Sequence, residues 1–378
     1  MLKFLPYILK TLWRHRARTL LTFSGAAVSL FVFCFVMSLQ QGLDRLTSQS
    51  DSTLIVFQAN KFCPATSHLQ QDYDRIIGRL PGVRAVVPIQ VFTNNCRASL
   101  DVVVFYGVPP QKLRAVRDFE LLAGNWSEFE NNQDAGVVGQ AVAARRNLKP
   151  GDRFSIGEVT VTVAGVFTSE NKAEENYIYT HLEFLQRTRG LDLVGTVTQH
   201  EVVLDSTADP ARIADQIDER FRGGPVQTDT RTKGTFQAAS LADLVDLIGL
   251  THYLGYACLG LMAVLILTTN FMSVQDRIRE HAVLQTIGFG GLQVFSLIMT
   301  ESVLLSLAGG ATGIVTALGV LANSGIAVSA EAVSLALTPS ASLAGIGLGL
   351  SVAVGVLAGM LPALAAARTE IIPALRSI

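Results

Sequence analysis

Four long apolar segments alternate with polar or mixed stretches along the chain. They run from about Thr19 to Leu39, His252 to Met272, Val294 to Leu321 and Leu343 to Ala363. A helix needs roughly 20 apolar residues to cross a bilayer, so each segment predicts one transmembrane helix. Between the first and second segments lie about 200 residues of mixed polarity, which is the size of a domain.

This pattern divides the chain into nine parts, and it favours an uncleaved first span over a signal peptide because no small-residue cleavage site follows closely. In chain order the parts are an amphipathic interfacial helix (1–18), a first span (19–45), an extracytoplasmic α/β domain (46–248), a second span (249–273), a short charged segment (274–293), a third span (294–322), an outer loop (323–341), a fourth span (342–364) and a tail (365–378).

The first residues carry apolar side chains on one helical face and basic ones toward the other, which is typical of a helix lying at the lipid headgroups. Leu5, Ile8, Leu9 and Leu12 form the apolar face. The alternative is a frayed basic tail, since the periodicity covers only three turns.

Strand and helix patterns alternate within the large domain. Two β-α-β halves are predicted, at about 50–100 and 197–230, with helices over Leu69–Leu80 and Pro210–Phe221. Short strands and a Pro-Gly-Asp turn between these halves predict a β-rich inserted subdomain at about 101–196. The predicted fold class is therefore four transmembrane helices plus an α/β extracytoplasmic domain with a β-rich insertion.

Charge sets the predicted orientation. Five basic and no acidic residues precede the first span, and residues 323–340 contain no Lys or Arg. Basic flanks stay in the cytoplasm, so both termini and residues 274–293 are expected inside, and the large domain outside. The net charge of −1 gives no basic field for nucleic acid. The chain is therefore expected to be a multi-pass membrane protein, in contact with membrane lipids.

Motifs for catalysis are missing from the sequence. The dipeptide Gly-Lys does not occur, which leaves no P-loop, and HExxH, GxSxG and CxxC are also absent. The six histidines are scattered without metal-ligand spacing. No catalytic residue, metal site or cofactor is therefore predicted on this chain.

Glu301 is the single acidic residue inside the four long apolar segments. Charge within a membrane is costly and often functional. One interpretation is structural, with Glu301 capping or bridging to another helix or reaching the interface. The other is a direct role in transport or proton relay, although nothing else in the spans continues such a relay.

The cysteines divide by location. Cys34 and Cys258 lie in predicted spans, whereas Cys63 and Cys96 lie in the outer domain, where thiols oxidise. A Cys63–Cys96 disulfide and two free thiols both remain open, because sequence does not supply the Cα separation.

Small residues recur four apart in the third and fourth spans. Such spacing lets helix backbones approach closely, although glycine is common in membrane helices generally. The pairs are Gly309 and Gly313, Gly345 and Gly349, and Gly355 and Gly359.

Three stretches resemble the MacB/FtsX/LolC-type ABC transporter permeases. They are RHRARTLLTFSGAAVSL before and in the first span, QDRIREHAVLQTIGFGGLQVFSLIMTESVLLSLAGGATG joining spans two and three, and LAGMLPALAAARTEIIPALRSI at the end of the chain. The stretch from DRIIGRLPGVRAVVP to VTVTVAGVF is similar to the family's periplasmic core domain. The resemblance covers nearly the whole chain, and the order of these stretches is its specific feature.

The resemblance implies that the charged segment is a coupling helix, seated in a cleft of an ATPase. It departs from the family's usual basic-acidic run at His281 and Ala282. The alternative is an ordinary solvated loop helix. The residues expected at the ATPase interface are Asp276, Arg277, Arg279, Glu280 and His281 as polar contacts or lipid-headgroup contacts, Leu284 and Ile287 as an apolar anchor, and Gly288, with Gly290, as the turn into span three.

The same resemblance implies the function. It is that of a permease subunit working with a separate ATPase that binds ATP and Mg, by mechanotransmission, to export or extract a lipid, lipoprotein, peptide or drug. A second permease chain, as a homodimer or a related permease, is expected, and a periplasmic adaptor is a further candidate partner. The alternative is an FtsX-like scaffold that activates a cell-wall hydrolase. A membrane-bound enzyme is a third class, without identified catalytic residues.

Overall fold

The computed structural model describes residues 14, 16–48, 52–61, 66–93, 103–117, 119–324, 327–330 and 333–368. They form two compact units. The helical unit comprises Met1–Gln40, Ile248–Ser324 and Pro339–Ile378, and the α/β unit comprises Gln41–Leu247 and Gly325–Thr338. Most of the predicted interfacial helix, the end of the tail, Cys63 and Cys96 lie outside the described residues.

Long helices lie toward both ends of the chain, and strands alternate with short helices between them. The helices are α1 (Arg16–Ser48), α2 (Tyr73–Ile77), α3 (Pro110–Val116), α4 (Trp126–Asn131), α5 (Gln140–Arg146), α6 (Leu182–Arg189), α7 (Pro210–Phe221), α8 (Lys233–Ser240), α9 (Ala242–Asp276), α10 (Ile278–Thr286), α11 (Gly291–Ser324) and α12 (Ala341–Ala367). The strands are β1 (Thr53–Gln58), β2 (Leu69–Gln70), β3 (Val83–Thr93), β4 (Val104–Val108), β5 (Glu120–Gly124), β6 (Ala135–Gly139), β7 (Arg153–Ile156), β8 (Val159–Thr168), β9 (Tyr177–His181), β10 (Thr196–Val197), β11 (Gln199–Leu204), β12 (Thr228–Thr232), β13 (Ala327–Ala330) and β14 (Val333–Ala336).

Four helices of the described chain are long and apolar enough to cross a membrane, within α1, α9, α11 and α12. Each helix is longer than the apolar segment that predicted it; α1, for example, continues to Ser48. The apolar pattern marks only the part of a helix that meets hydrocarbon, so it does not locate the helix ends. The buried core of the helical unit is formed by side chains such as Leu30, Met262 and Ala358.

The α/β unit is built on one ten-stranded sheet, in the order β12-β1-β11-β3-β4-β9-β6-β8-β5, with β7 also paired to β8. The pairs β4–β9 and β6–β8 are parallel. The other pairs in this sheet are antiparallel. Mixed pairing with helices packed on the sheet confirms the predicted α/β class.

The two predicted β-α-β halves come together as one part of the sheet, which we call the core half: β1, β11, β12 and the start of β3, with α2 and α7. Strand β1 lies between β11 and β12. Helix α7 coincides with the predicted Pro210–Phe221; Asp209 caps it by accepting a bond from the Ala211 N–H at 3.1 Å. Its Ile217 is fully buried in the core.

The helix predicted over Leu69–Leu80 is wrong in its extent. Only Tyr73–Ile77 is helical, and Leu69–Gln70 is a short strand paired with β10. The buried apolar residues that suggested helical periodicity belong to two different elements, the short strand and the short helix. The pairing partner of the strand lies more than a hundred residues later in the chain, which a local pattern does not reveal.

The residues predicted as the β-rich insertion supply β4–β9, and these strands continue the same ten-stranded sheet. We call β4–β9 with α3–α6 the inserted half. Strand β3 belongs to both halves, because Val83–Ile89 pairs with β11 and Gln90–Thr93 pairs with β4. A cluster of aromatic side chains fills this half, with Phe167 stacked on Phe119 at 4.2 Å.

The outer loop predicted over 323–341 contains the hairpin β13–β14, which belongs to the α/β unit. Ser334 donates its N–H to the Tyr177 hydroxyl at 3.1 Å. Arg45, near the end of α1, donates to the Thr338 hydroxyl at 2.6 Å. The segment between α11 and α12 is thereby an integral part of the sheet-bearing unit.

Candidate functional site

The charged segment singled out from the sequence folds as the short helix α10. Helix α9 ends at Asp276, and Arg277 leaves helical geometry with φ −115° and ψ 16°. At the other end Gly288 adopts φ +104°, a left-handed conformation that glycine favours. The Gln293 side chain accepts a bond from the Gly290 N–H at 2.9 Å at the start of α11, like half of a capping box.

Arg277 does not face outward as the sequence suggested. Its side chain is buried and its Nη1 lies 3.5 Å from Oε2 of Glu301, which is also buried, on α11. Burying either charge alone is costly, so each side chain compensates the other. The pair fixes the start of α10 against α11, and it places Glu301 in the bridging arrangement.

Arg18 of α1, and Arg14 shortly before that helix, supply further ion pairs to the same segment. Arg18 donates to Asp276 at 3.0 Å and to the Ser273 hydroxyl at 3.0 Å. Arg14 lies 3.3 Å from Glu280, with both side chains exposed. Exposed pairs contribute little to stability, so the buried Arg277–Glu301 pair is the stronger restraint on α10.

An exposed apolar pair lies at the C-terminal end of α10, with Ile287 directly after the last residue of the helix. Ile287 is 72% exposed and Val283, four positions earlier, is 46% exposed. Residues four apart occupy one helix face. The sequence singled out Ile287 but missed Val283, although the spacing of four was the available signal. Side-chain positions of Arg279, His281 and Leu284 lie outside what the structure describes.

Two of the three glycine pairs lie at helix crossings. A Cβ added at Gly313 meets the Ala27 carbonyl oxygen of α1 at 2.1 Å, and one at Gly309 meets Phe23 of α1 at 2.7 Å. Gly355 and Gly359 similarly lie against Ser302 on α11 and its neighbours.

The third pair, Gly345 and Gly349, has no such contact in the part of the chain that the structure describes. A Cβ at Gly345 or Gly349 has no heavy atom within 4 Å among the described residues. Packing at Gly345 and Gly349 therefore stays a prediction, which contacts within the described chain do not account for. The spacing is the same in all three pairs, so spacing alone does not identify a contact.

Polar side chains also join the spans. Asn270 on α9 donates to the Ser302 hydroxyl at 2.6 Å. Ser306 and Ser351 each donate to the other's carbonyl, at 2.6 and 2.7 Å. Such bonds hold helices together where hydrophobicity does not distinguish protein from lipid. Among the described residues no cluster of His, Cys, Asp or Glu could hold a metal ion.

Two family models match the chain. The MacB-like periplasmic core domain covers residues 19–220, and the FtsX-like permease C-terminal domain covers residues 254–371. The chain belongs to the MacB/FtsX-like family of ABC transporter permeases. This confirms the family resemblance of the sequence motifs. The permease is accordingly a multi-pass membrane protein, and membership implies an ATPase partner.

Relatives of this permease cover its whole length. An uncharacterized ABC transporter permease of Methanocaldococcus jannaschii is 23% identical, across 98% of this chain and 97% of its own. A pyoverdine export ATP-binding/permease protein of Pseudomonas syringae pv. syringae is 23% identical across 97% of this chain. The permease spans only 58% of the length of that relative.

Solved structures align with about half of the permease. The periplasmic region of MacB from Actinobacillus actinomycetemcomitans aligns with 50% of this chain and 92% of its own, at 14% identity and a TM-score of 0.37. The extracellular domain of the noncanonic ABC-type transporter YknZ from Gram-positive bacteria aligns with 48% and 98%, at 14% identity and a TM-score of 0.36.

Proposed function

We propose that this permease couples ATP hydrolysis on a separate ATPase subunit to movement of its α/β unit. The action is mechanotransmission, in which the substrate is handled on the outer side of the membrane. Export or extraction of a lipid, lipoprotein, peptide or drug is the expected outcome. The observation that carries the proposal is α10, a short helix with an exposed apolar pair, bounded by a buried ion pair.

The proposed contact with the ATPase is the face of α10 that carries Val283 and Ile287. Both side chains are exposed in the single chain. Insertion into a cleft of the ATPase would remove these apolar side chains from contact with water. The Arg277–Glu301 pair holds the start of α10 against α11. A push on α10 is thereby passed to a membrane-spanning helix instead of being absorbed by a loose loop.

The proposed orientation has both termini in the cytoplasm of a bacterial inner membrane and the α/β unit outside. The basic residues before the first span support it. A second permease chain, identical or related, is proposed because four spans are few for a transport pathway. Exposed apolar side chains of α9, such as Tyr253 and Leu261, suit lipid or a neighbouring helix. A periplasmic adaptor is a further proposed partner.

The test replaces Ile287 by Asp. If Ile287 sits in a cleft of the ATPase, the change removes apolar contact and buries an unpaired carboxylate. The expected cost is about 4 kcal/mol of binding, on the order of a thousandfold in affinity. Pull-down of the partner ATPase in detergent measures binding, and transport is measured alongside.

Two matched variants serve as controls. Ile287→Leu keeps an apolar side chain and should bind as wild type. Thr286→Asp adds the same charge at the neighbouring exposed position and should bind far better than Ile287→Asp. Equal binding by Ile287→Asp and wild type would mean that α10 is an ordinary solvated helix. Co-purification of a cell-wall hydrolase instead of a transported molecule would favour the FtsX-like scaffold.

A further inference from the structure

The two halves of the α/β unit meet within β3. At Gln90 the strand changes partner from β11 to β4. The Thr198 hydroxyl accepts from the Val91 N–H at 2.9 Å and donates to the Ile89 carbonyl at 3.0 Å. A side chain therefore supplies, at this junction, bonds that elsewhere come from the sheet.

Gln90 itself is fully buried, and neither polar atom of its side chain has a hydrogen-bond partner among the described residues. A buried amide without partners costs free energy, and such groups are rare in native structures. In this conformation the Gln90 amide therefore has unsatisfied hydrogen-bonding groups at the point where the two halves join. A different arrangement of the halves would remove this cost if it gave the amide hydrogen-bond partners.

Four charged side chains connect the halves near this junction. Arg117 binds Glu201 with two bonds, at 2.6 and 2.8 Å, and its Nε lies 3.2 Å from Glu174. Lys233 lies 3.2 Å from Glu201 and 3.7 Å from Glu174. We call these four residues the charge cluster. Its two positive and two negative charges balance.

The members of the charge cluster come from three parts of the unit. Glu201 lies on β11 in the core half, and Arg117 and Glu174 flank α3 and β9 in the inserted half. Lys233 is the first residue of α8, and α9 follows α8 directly in the chain. The cluster thus joins both halves to the segment that leads into a membrane-spanning helix.

The electrostatics show how strongly the cluster is coupled. Burial by itself raises the pKa of Glu201, but Arg117 and Lys233 outweigh burial and lower that pKa to about 2. The adjoining cavity has a volume of about 30 Å³, which is room for a water molecule and too little for an organic ligand. The charge cluster therefore makes an internal connection and is not a ligand pocket.

A separate ion pair joins the halves at a second place. Lys112 of α3 lies 2.7 Å from Asp74 of α2 and donates to the Val86 carbonyl at 3.0 Å. Unlike Arg117, Lys112 has a partly exposed side chain. The buried charge cluster is the stronger of these two connections, because its charges have little water to replace a lost partner.

We propose that the charge cluster is a latch, closed in this structure, that holds the inserted half to the core half and to α8. Its release lets the inserted half turn about β3 at Gln90. The latch is a property of the α/β unit alone. That it opens during an ATP-driven cycle rests on the proposed function.

Hydrogen–deuterium exchange of the full-length protein in detergent tests the latch. Arg117→Met removes the direct connection that the charge cluster makes between Glu201 of the core half and Glu174 of the inserted half. Amides at the junction within Gln90–Thr93, above all Val91, which donates to Thr198, should then exchange about tenfold faster, while those of β8 and α7 stay unchanged, because only a local unit opens. Arg114→Met is the matched control, since Arg114 lies on α3 one turn before Arg117 and pairs with Glu130 at an exposed site. It should leave the exchange pattern as in wild type.

A double variant separates the latch from a general loss of stability. Arg117→Met combined with Glu201→Gln leaves Lys233 and Glu174 as a balanced pair. Thermal stability should then recover toward wild type while exchange at Gln90–Thr93 stays fast. If recovery of stability also restores slow exchange, the cluster serves only folding stability and the latch proposal fails.

Two further results overturn the proposal: faster exchange throughout β8 and α7 in Arg117→Met, or no change at Gln90–Thr93. Gln90→Met, which keeps the volume and removes the unpaired amide, should slow exchange at the junction; unchanged or faster exchange there contradicts the hinge. These measurements need no ATPase. The latch proposal can therefore be supported even if Ile287→Asp binds the ATPase normally and the proposed function fails.

Discussion

His200 shows how one buried side chain makes the α/β unit sensitive to acid. Its Nε2 lies 3.0 Å from the Gln70 carbonyl, and its Nδ1 has no partner among the described residues. Burial lowers the pKa of His200 from 6.5 to about 4. The folded protein therefore keeps the ring neutral at a pH where the unfolded chain protonates it.

The expected result is a loss of stability as the pH falls from 6.5 to 4. In that window the unfolded state binds the additional proton, so the free energy of unfolding decreases with decreasing pH. The contribution of His200 is about 3 kcal/mol in total, complete above pH 6.5 and gone below pH 4. Denaturant unfolding of the full-length protein at pH 7 and pH 4.5 measures it.

His200→Gln is the matched variant, because an amide N–H can still donate to the Gln70 carbonyl but does not titrate. The difference in stability between the two pH values should be smaller in this variant than in wild type. Equal differences would show that His200 does not set the acid response.

At the scale of single residues, the sequence predicted the chemical type of a side chain better than it predicted which other residue that side chain contacts. Asp276 and Glu280 were recognised as part of a charged segment, and both are exposed. Arg277 was placed with them, yet it is buried against Glu301 because the chain leaves helical geometry at that residue. The charge cluster was missed entirely, since its members are separated by up to about 115 residues and only the register of the sheet brings them together.

At the scale of helices, the crossing of α1 and α11 depends on glycine. We expect Gly313→Ala to destabilise the protein by about 1–3 kcal/mol, because the new methyl group would lie against the Ala27 backbone. Gly345→Ala adds the same methyl group to α12 where no atom lies within 4 Å. It should be neutral within the single chain. Thermal unfolding in detergent compares the two variants.

A result in which both variants lose stability equally would indicate that Gly345 faces a second copy of the chain in the purified protein. A result in which neither loses stability would contradict the close crossing of α1 and α11. The two outcomes are distinct because the substitution is chemically identical at both sites.

The elements that follow from local physics were predicted, and those that depend on distant pairing were not. A span is imposed by bilayer thickness, so all four were found. Helix α7 has a cap, a proline at its first position and a buried apolar stripe, and it was found as well. In contrast, β2 forms only by pairing with β10, and the hairpin β13–β14 belongs to a unit whose other strands lie far away in the chain.

At the scale of the whole molecule, the proposed orientation predicts which surfaces a reagent reaches. We expect a membrane-impermeant maleimide to label Glu128→Cys in intact cells and not Glu280→Cys. Both side chains are exposed, so a difference in labelling reports the membrane barrier. Labelling of both variants after lysis, compared with the unsubstituted protein, is the control. The reverse pattern in intact cells would place the α/β unit in the cytoplasm.

The order of strands in the sheet has a consequence for biosynthesis. Strand β1 pairs on its two sides with β11 and β12, which lie roughly 140 residues or more further along the chain. At about 5–20 residues per second, β1 waits on the order of 10–30 s with both edges open. Unpaired strand edges are templates for aggregation. For that interval the growing chain carries an unpaired edge on each side of β1, and a ribosome that stalls before residue 199 leaves a fragment that cannot close its own sheet.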